Sequence, residues 1–331
     1  MQFRLGNIAQ LVLVLAASAC ASVSPLRRTD PIFGKETPLL FAHRGGALEQ
    51  PESTLLAFQT AKELGVDVLE LDVQKTRDGR IVVWHGPRLD NVRIRGQNNA
   101  DPKSRGRRSI TEYTWTELEH AAWVASPPLH RESASDLELV PEDPKRELLL
   151  LSQFLVHFPC EALNVELKSS IEPQDIHEVL RILDSSPMCP SGEREVLVAS
   201  FRADLIDGVR SQSVGRYATN QPAMWAVGKA IRCFLPLEIE PMRNEALQTS
   251  WHWFLSCEPL VNDVREAGGA THVFLTGLLF EGLDADATDL RQDAIDAILD
   301  RGVDGIMTDR PGAVFPLLED WKRRHASAEN W

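Results

Sequence analysis

The order of apolar and polar positions near residue 40 predicts a strand, a helix and two further strands in close succession. Short apolar runs occupy Leu39–Ala42 and residues 66–73 and 81–84, and a helical pattern covers residues 54–64. A strand, a helix and a second strand within so short a stretch are typical of a βα unit in a parallel sheet. Each apolar run carries or is followed by polar side chains: His43 and Arg44, then Glu70 and Asp72, then His85. Charged groups at the C-terminal ends of parallel strands are typical of active sites.

The same alternation continues along the chain and indicates a closed barrel. Further strands are predicted over residues 162–167, 196–201, 216–219, 272–278 and 305–308. Further helices are predicted over residues 114–124, 148–158, 172–183 and 286–300. Residues 93–108 and 126–145 lack periodicity and are predicted to be loops. About eight alternations of strand and helix favour the α/β class and a (β/α)8 TIM barrel.

The first residues have the pattern of an export signal. An apolar run over residues 11–17 leads through small residues to Cys20, which predicts a lipoprotein-type signal peptide ending at a lipidated Cys20. The alternative is an ordinary signal peptide cut near Ala19 or Ala21. Residues 21–38 are predicted to be a tether, 39–321 the barrel domain and 322–331 a polar tail. We therefore expect an exported lipoprotein that is anchored to a membrane of the cell envelope and faces the periplasm.

The charge of the chain narrows the choice of partner. The 331 residues carry 48 acidic and 35 basic side chains, a net charge of −13. Binding to nucleic acid depends on basic surface, so this class of partner is not expected. A phosphate-bearing small molecule would need local positive charge to offset the overall field.

Four cysteines follow Cys20, and they are Cys160, Cys189, Cys233 and Cys257. No two of them have a Cys-x-x-Cys spacing, so neither a zinc site nor a redox motif is predicted. Four cysteines allow three sets of disulfide pairings in an exported protein. We expect most of them to be small buried residues instead.

Carboxylates on two of the predicted strands indicate a metal site. Glu70 and Asp72 are two residues apart, so their side chains point to the same face of a strand. Asn164, Glu166 and Lys168 alternate in the same way on another strand. Clustered carboxylates repel each other unless a positive charge lies between them, and oxygen ligands suit Ca²⁺ or Mg²⁺. Surface carboxylates are the alternative, but the apolar neighbours on both strands favour burial.

Two histidines and two basic residues complete the candidate site. His43 and His85 follow two predicted strands, and a histidine pair can accept one proton and donate another. Arg44 and Lys168 would bind phosphate oxygens. The alternative for these two basic residues is a structural ion pair with the ligating carboxylates, and the two roles can coexist.

The chain resembles the glycerophosphodiester phosphodiesterase family from about residue 39 to Pro311. The motifs that carry the resemblance are His43-Arg-Gly, Pro51-Glu-Ser-Thr, Glu70-Leu-Asp-Val, Thr76-Arg-Asp-Gly, Asn164-Val-Glu-Leu-Lys and Gly302-Val-Asp-Gly-Ile-Met-Thr-Asp-Arg-Pro. The resemblance implies a (β/α)8 barrel, with Glu70, Asp72 and Glu166 as metal ligands and Glu52 near the metal. Three departures from the family pattern are Ser53 in place of Asn, Gly86 in place of Asp, and Phe274-Leu-Thr-Gly-Leu in place of a tryptophan-containing segment.

The resemblance implies metal-dependent hydrolysis of glycerophosphodiesters to sn-glycerol 3-phosphate and an alcohol. One alternative is a lysophospholipase D-type enzyme, which the apolar stretch at residues 221–239 and a lipid anchor favour. Another is a non-catalytic surface lipoprotein that binds a phosphate ligand. That alternative predicts the loss of at least one candidate catalytic or metal-binding side chain, and all of them are present.

Overall fold

The computed structural model describes residues 29–89, 92–94, 109–123, 143–185, 189, 194–221, 245–250, 259–275 and 292–326. Cys20, Cys233 and Cys257 lie outside the described residues, as does the apolar stretch beyond Gln221. The predictions made for them remain predictions.

Eight parallel strands close into a barrel, which confirms the predicted (β/α)8 fold. The strands of the chain are β1 (Leu39–Ala42), β2 (Val68–Lys75), β3 (Ile81–Val83), β4 (Val92–Arg93), β5 (Ala122–Trp123), β6 (Leu149–Leu150), β7 (Ala162–Leu167), β8 (Val196–Ala199), β9 (Ala218–Asn220), β10 (Glu245–Ser250), β11 (Ala270–Leu275) and β12 (Gly305–Thr308). The barrel strands are β1, β2 and β7 to β12 in that order. Closure comes from β1, which pairs with β2 on one side and with β12 on the other.

Helices follow most of the barrel strands. They are α1 (Leu55–Leu64), α2 (Trp115–Leu118), α3 (Leu151–His157), α4 (Ile176–Asp184), α5 (Ala203–Ser213), α6 (Pro259–Glu266), α7 (Gln292–Leu299) and α8 (Pro311–Ala326). The first helix begins as its sequence predicts, because the Thr54 hydroxyl accepts a hydrogen bond from the Ala57 N–H at 3.2 Å. It ends at Gly65, which has a left-handed backbone conformation. The second is only four residues long, although its predicted Thr114–Glu117 capping box is present.

Two strands differ from the prediction, and the two errors offset each other in the count of eight. β3 was expected to be a barrel strand, but it pairs antiparallel with β2 and with β6 outside the barrel. β10 was not predicted, and it pairs parallel with β9 and β11. The long connection between β2 and β7 also contains the small β4–β5 ribbon. Its strand β5 lies within residues 114–124, where a helix was predicted, so that prediction is wrong at its C-terminal end.

The barrel interior changes from apolar to polar along its axis. Phe33, Leu39, Phe41, Val68 and Met307 belong to one buried cluster towards the N-terminal ends of the strands. Polar and charged side chains follow at the C-terminal ends. The outward-facing residues of β1, β2 and β7 pack instead against the helices, in two larger apolar clusters. This division leaves the C-terminal end of the barrel for chemistry.

The described part of the predicted tether, from Thr29 to Pro38, packs against the barrel. Phe33 is fully buried, and its ring lies edge-on to Phe41 with centroids 5.6 Å apart. Asp30 is also fully buried and its Oδ2 lies 3.0 Å from Nε2 of His272 on β11. At the other terminus, α8 extends to Ala326, past the predicted start of the tail.

Cys160 and Cys189 form a disulfide across 29 residues of sequence. The expectation of a small buried residue is therefore wrong for Cys160, which is exposed, and incomplete for Cys189, which is buried but bonded. Within the described part of the chain, no helix has both the length and the apolar composition needed to cross a membrane.

Candidate active site

The candidate site lies at the C-terminal ends of β1, β2 and β7 and in the turn after β12. Glu70 and Asp72 alternate along β2, and the parallel pairing with β7 aligns them with Asn164 and Glu166 respectively. All four side chains are buried. The two-residue spacing of these side chains in the sequence therefore places all four on one polar face inside the barrel.

The His43-Arg-Gly motif forms a tight turn directly after β1. Arg44 has a left-handed backbone with φ of 54°, and its N–H donates to Glu70 Oε2 at 2.8 Å. Gly45 follows with φ of 82°, and a Cβ at this position would lie 2.8 Å from the Ala57 Cβ. Glycine is required here because α1 approaches the turn so closely. The turn brings His43 and Arg44 over the carboxylates of β2.

Glu70, Asp72 and Glu166 form the acidic centre of the site. Each offers an oxygen within 4.8 Å of the others. Burial and the neighbouring Asp72 raise the pKa of Glu70 to about 8. The same two causes raise the pKa of Glu166. Burial acts in the same direction on Asp72, but Lys168 and Arg44 outweigh it and hold the pKa of Asp72 below its ordinary value.

This centre fits a hard divalent cation. Three buried carboxylates that repel one another gain a compensating charge when a cation lies between them. Asn164 Oδ1 is also buried and accepts no hydrogen bond from the described residues, so the strand beside Glu70 holds a further unused oxygen. The donor set contains only oxygen atoms, as Ca²⁺ and Mg²⁺ prefer.

Arg44 and Lys168 connect the carboxylates by ion pairs. Lys168 Nζ lies 2.8 Å from Asp72 Oδ1 and 2.5 Å from Glu166 Oε1. Arg44 Nε lies 3.4 Å from Asp72 Oδ2, and its Nη1 donates to Glu52 Oε2 at 2.9 Å. Burial acts to lower the pKa of each base, but the adjacent carboxylates raise both pKa values, so both bases remain charged.

His43 is held through its ring by Asp309, the residue that follows β12 by one position. Nδ1 of His43 lies 2.6 Å from Asp309 Oδ1, and Nε2 lies 3.9 Å from Glu70 Oε2. Burial acts to lower the pKa of His43, but Glu70 and Asp309 more than offset this effect and raise it. The Phe274 ring stands edge-on to the imidazole with centroids 6.3 Å apart. Phe274 thus lies beside the site, and the rest of its segment, residues 276–278, is outside the described part.

His85 lies just beyond β3, next to a cavity that Glu166 and Lys168 also line. Burial, together with the positive charges of Arg44 and Lys168, lowers the pKa of His85 to about 3 although Asp72 acts against them. The residue borders a cavity of about 280 Å³. The cavity is lined by Gln74, His85, Pro87, Glu166, Leu167, Lys168, Ser169, Ser200, Phe201 and Arg202. The exposed Phe201 ring lies 5.9 Å from Lys168 Nζ at the cavity rim.

The structure brings together every predicted site residue within the described part of the chain. Asp309 and Gln74 were not singled out from the sequence. Asp309 stands directly beyond the last predicted strand, at the strand end where barrel active sites lie, and that position is a signal for it. Ser53, one of the departures from the family pattern, is buried with a left-handed φ of 61°, and its hydroxyl has no hydrogen bond among the described residues.

Comparison with known proteins indicates a family for this chain. The model of the glycerophosphoryl diester phosphodiesterase family matches residues 43–313. A glycerophosphodiester phosphodiesterase of Bacillus altitudinis is 33% identical over 132 residues, which are 40% of this chain and 46% of that protein. One from Caldanaerobacter subterraneus is 50% identical over 54 residues, 16% of this chain and 22% of that protein. The chain therefore spans less than half of these curated relatives in the matched region.

Solved structures are similar over a larger part of the chain. A protein from Silicibacter pomeroyi matches with a TM-score of 0.63 and 21% identity over 86% of this chain and 95% of that one. An Oleispira antarctica phosphodiesterase in complex with the product sn-glycerol-3-phosphate matches with a TM-score of 0.58 and 17% identity, over 85% and 97% of the two chains. At these identities the likeness establishes the shared barrel fold.

Proposed function

Because the chain belongs to the glycerophosphoryl diester phosphodiesterase family, we propose that it hydrolyses glycerophosphodiesters to sn-glycerol 3-phosphate and an alcohol with the help of a divalent cation. The observation that carries this proposal is the convergence of His43 and His85 with Glu70, Asp72 and Glu166 at one end of the barrel. The Oleispira antarctica relative binds sn-glycerol-3-phosphate, the same product.

Charge complementarity explains how the substrate would be held. The three carboxylates would hold Ca²⁺ or Mg²⁺, which supplies Lewis acidity at the phosphate when bound. Arg44 can offer a fork of donors to the phosphate oxygens, and Lys168 can offer a compact positive charge. Their present partners are carboxylates, so the same ion pairs keep both side chains directed at the site before substrate arrives.

The two histidines would carry the two proton transfers of diester cleavage. One accepts the proton of the attacking hydroxyl as the new P–O bond forms, and the other donates a proton to the alcohol oxygen as the old bond breaks. The Asp309 hydrogen bond holds His43 with Nε2 on the side of Glu70, so Nε2 is its reactive nitrogen. His85 offers its ring from the cavity.

The shifted pKa values favour different protonation states for the two histidines at neutral pH. The raised pKa of His43 favours its protonated form, whereas the pKa of His85, lowered to about 3, leaves it neutral. One proton donor and one acceptor are therefore available. A cation bound by Glu70 would offset the negative charge that raises the pKa of His43. Kinetics of the metal-loaded protein therefore decide which histidine donates a proton and which accepts one.

A substrate panel tests the proposed function. Purified protein would be assayed on glycerophosphocholine, glycerophosphoethanolamine and lysophosphatidylcholine with Mg²⁺, Ca²⁺ or EDTA. We expect turnover of the first two that EDTA abolishes and a divalent ion restores. Glu166→Ala should raise the required metal concentration, whereas Glu178→Ala, which removes a half-exposed carboxylate on α4, should not. Full activity after exhaustive dialysis into EDTA would refute the metal role.

The same panel decides between the leading function and a lysophospholipase D activity. The observation that favours the second candidate is a human lysophospholipase D that is 44% identical to this chain over 62 residues. The exposed Phe201 at the cavity rim is also suited to an apolar chain. Faster turnover of lysophosphatidylcholine than of glycerophosphocholine would establish the second candidate, and no turnover of either would leave only a binding role.

We further propose that the protein is exported and anchored by a lipid on Cys20. The Cys160–Cys189 disulfide supports export, because such bonds persist in oxidising compartments. Cys20→Ser should give a protein that no longer partitions into detergent, and mass spectrometry should find diacylglycerol on the wild-type N-terminus. A mature N-terminus at another residue would contradict the anchor.

A further inference from the structure

His43 and His85 are held in place by different means. The His43 ring is bound by Asp309 at 2.6 Å. For the His85 ring, by contrast, the described residues provide no hydrogen bond, and only burial and charges at a distance act on it. His85 must therefore be positioned through its backbone if it is to transfer a proton with defined geometry.

Gln74 is the side chain that contacts this backbone. It lies on β2 two residues beyond Asp72, and only 2% of its surface is exposed. Its Nε2 donates to the His85 carbonyl oxygen at 2.9 Å and to the Gly86 carbonyl oxygen in a second, shorter hydrogen bond. One buried amide thus binds two consecutive peptide groups, one of which belongs to the candidate catalytic residue.

The position of these two hydrogen bonds along the hairpin explains their effect. The β2–β3 ladder ends at the Val73–Val83 pair, and the last backbone bond beyond it runs from the Trp84 N–H to the Asp72 carbonyl at 3.0 Å. From that point the chain leaves the sheet. The next two residues, His85 and Gly86, have no ladder bond to β2, and the Gln74 side chain binds them to that strand instead.

The far side of the turn is fixed independently of Gln74. Trp84 Nε1 donates to the Arg88 carbonyl at 3.2 Å, and the Ile110 N–H donates to the Pro87 carbonyl at 3.3 Å. Loss of the Gln74 amide would therefore free the peptide groups of His85 and Gly86 without unfolding the turn. The ring of His85 would then shift relative to the carboxylates on β2.

We propose that Gln74 is a positioning residue that acts through His85, an inference that rests on the proposed phosphodiesterase function. A misplacement of about 1 Å can cost about a hundredfold in rate. Gln74→Met keeps the length of the side chain and removes both donors. We expect it to lower kcat about ten- to a hundredfold on glycerophosphocholine. KM and the metal concentration for half activity should stay within about threefold of wild type.

A double-mutant cycle separates this role from a merely structural one. In a His85→Ala background there is no ring left to position, so adding Gln74→Met should lower kcat by no more than about twofold. The two single variants should also respond in the same way to a substrate whose leaving group is 4-nitrophenol. Gln292→Met is the matched control, because Gln292 lies on α7 outside the barrel and its Nε2 likewise donates to a backbone carbonyl, that of Leu317 on α8, at 3.1 Å. It should keep wild-type kcat.

Three results would overturn the inference. They are an unchanged kcat for Gln74→Met, an equal loss of kcat in both backgrounds, and a loss confined to metal affinity. If circular dichroism shows that Gln74→Met does not fold, Gln74→Glu replaces it in the same cycle. Glutamate has nearly the size of glutamine, but its ionised carboxylate repels the two carbonyl oxygens instead of donating to them. Wild-type protein with no activity on any glycerophosphodiester would instead refute the proposed function, a result distinguishable from all three.

Discussion

The surroundings of Glu70 disfavour the ionised form of its carboxyl group, which is the form that would bind the proposed cation. Its folded-state pKa of about 8 lies above its ordinary value of 4.5 because of burial and Asp72. Between these pH values the native protein without metal binds more protons than the unfolded chain, so stability falls as pH rises. We expect the free energy of unfolding in EDTA to decrease from pH 5 to pH 8. Urea titrations at both pH values measure it.

Two comparisons sharpen this prediction. Glu70→Gln should flatten the pH dependence, since the amide does not titrate. Saturating Ca²⁺ or Mg²⁺ should restore stability at pH 8, by about 2.7 kcal/mol at a hundred times Kd. Identical pH profiles for wild type and Glu70→Gln in EDTA would show that Glu70 does not cause the pH dependence of the free energy of unfolding.

Asp309 determines which nitrogen of His43 faces the site. Asp309→Asn keeps the size of the side chain but removes the charge that favours a proton on Nδ1. We expect kcat to fall by about a hundredfold, as for the loss of a well-placed acid or base, with KM little changed. Glu49→Gln is the control, because Glu49 accepts the Gly312 and Ala313 N–H groups without binding His43. Equal kcat values for both variants would exclude the orienting role.

The sequence predicts the members of the site better than the bonds among them. Spacing of two residues on one strand correctly places Glu70 with Asp72 and Glu166 with Lys168, because strand geometry is local. The His43–Asp309 bond joins residues 266 positions apart and exists only because β12 closes the barrel against β1. No local pattern contains that information. The Gln74 bonds to the loop after β3 depend likewise on how the hairpin ends.

At the scale of elements, the misassigned strand could have been recognised. Only residues 76–80 separate β2 from β3, and parallel neighbours need a crossover of about a dozen residues or more. Connection length thus predicts an antiparallel hairpin where hydrophobicity alone does not. β10 offered a weaker signal, since Glu-Ala-Leu-Gln-Thr-Ser has only two buried positions. Its strand character comes from pairing with both neighbours.

The segment before β1 is a second element that tertiary structure fixes. Asp30 is fully buried against His272, and the bonds from that histidine outweigh the effect of burial and lower the pKa of Asp30. A lowered folded-state pKa gives stability that is present above the ordinary value of 3.8 and is lost as pH falls through the folded-state value. Asp30→Asn should therefore lose less stability than wild type on acidification below pH 4.

Urea unfolding between pH 5 and pH 2.5 measures this difference. At neutral pH the same variant should be about 1–3 kcal/mol less stable than wild type, because a buried hydrogen bond is weakened. Asp207→Asn supplies an exposed control on α5 and should follow the wild-type curve. A variant Asp30→Asn with the wild-type acid transition would mean that this segment does not contribute to acid stability.

At the scale of the whole molecule, stability and chemistry occupy opposite ends of the barrel. Phe33, Asp30 and the apolar interior close the N-terminal end, while the charged groups occupy the C-terminal end. The alternation of strands and helices predicts the barrel itself. It does not predict this closure, because the closing segment has no periodicity and gains its order only by packing.

The Cys160–Cys189 disulfide belongs to the stabilising end, since Cys160 lies just before β7 and Cys189 lies between α4 and β8. Closing a loop of 29 residues should stabilise the fold by roughly 3–4 kcal/mol through the unfolded state. A Cys160→Ser/Cys189→Ser variant should lose about that much free energy of unfolding. It should keep wild-type kcat, because the bond is remote from the carboxylates. Reductant should destabilise the wild-type protein and leave the variant unchanged; equal sensitivity of both would show that the bond does not stabilise the fold.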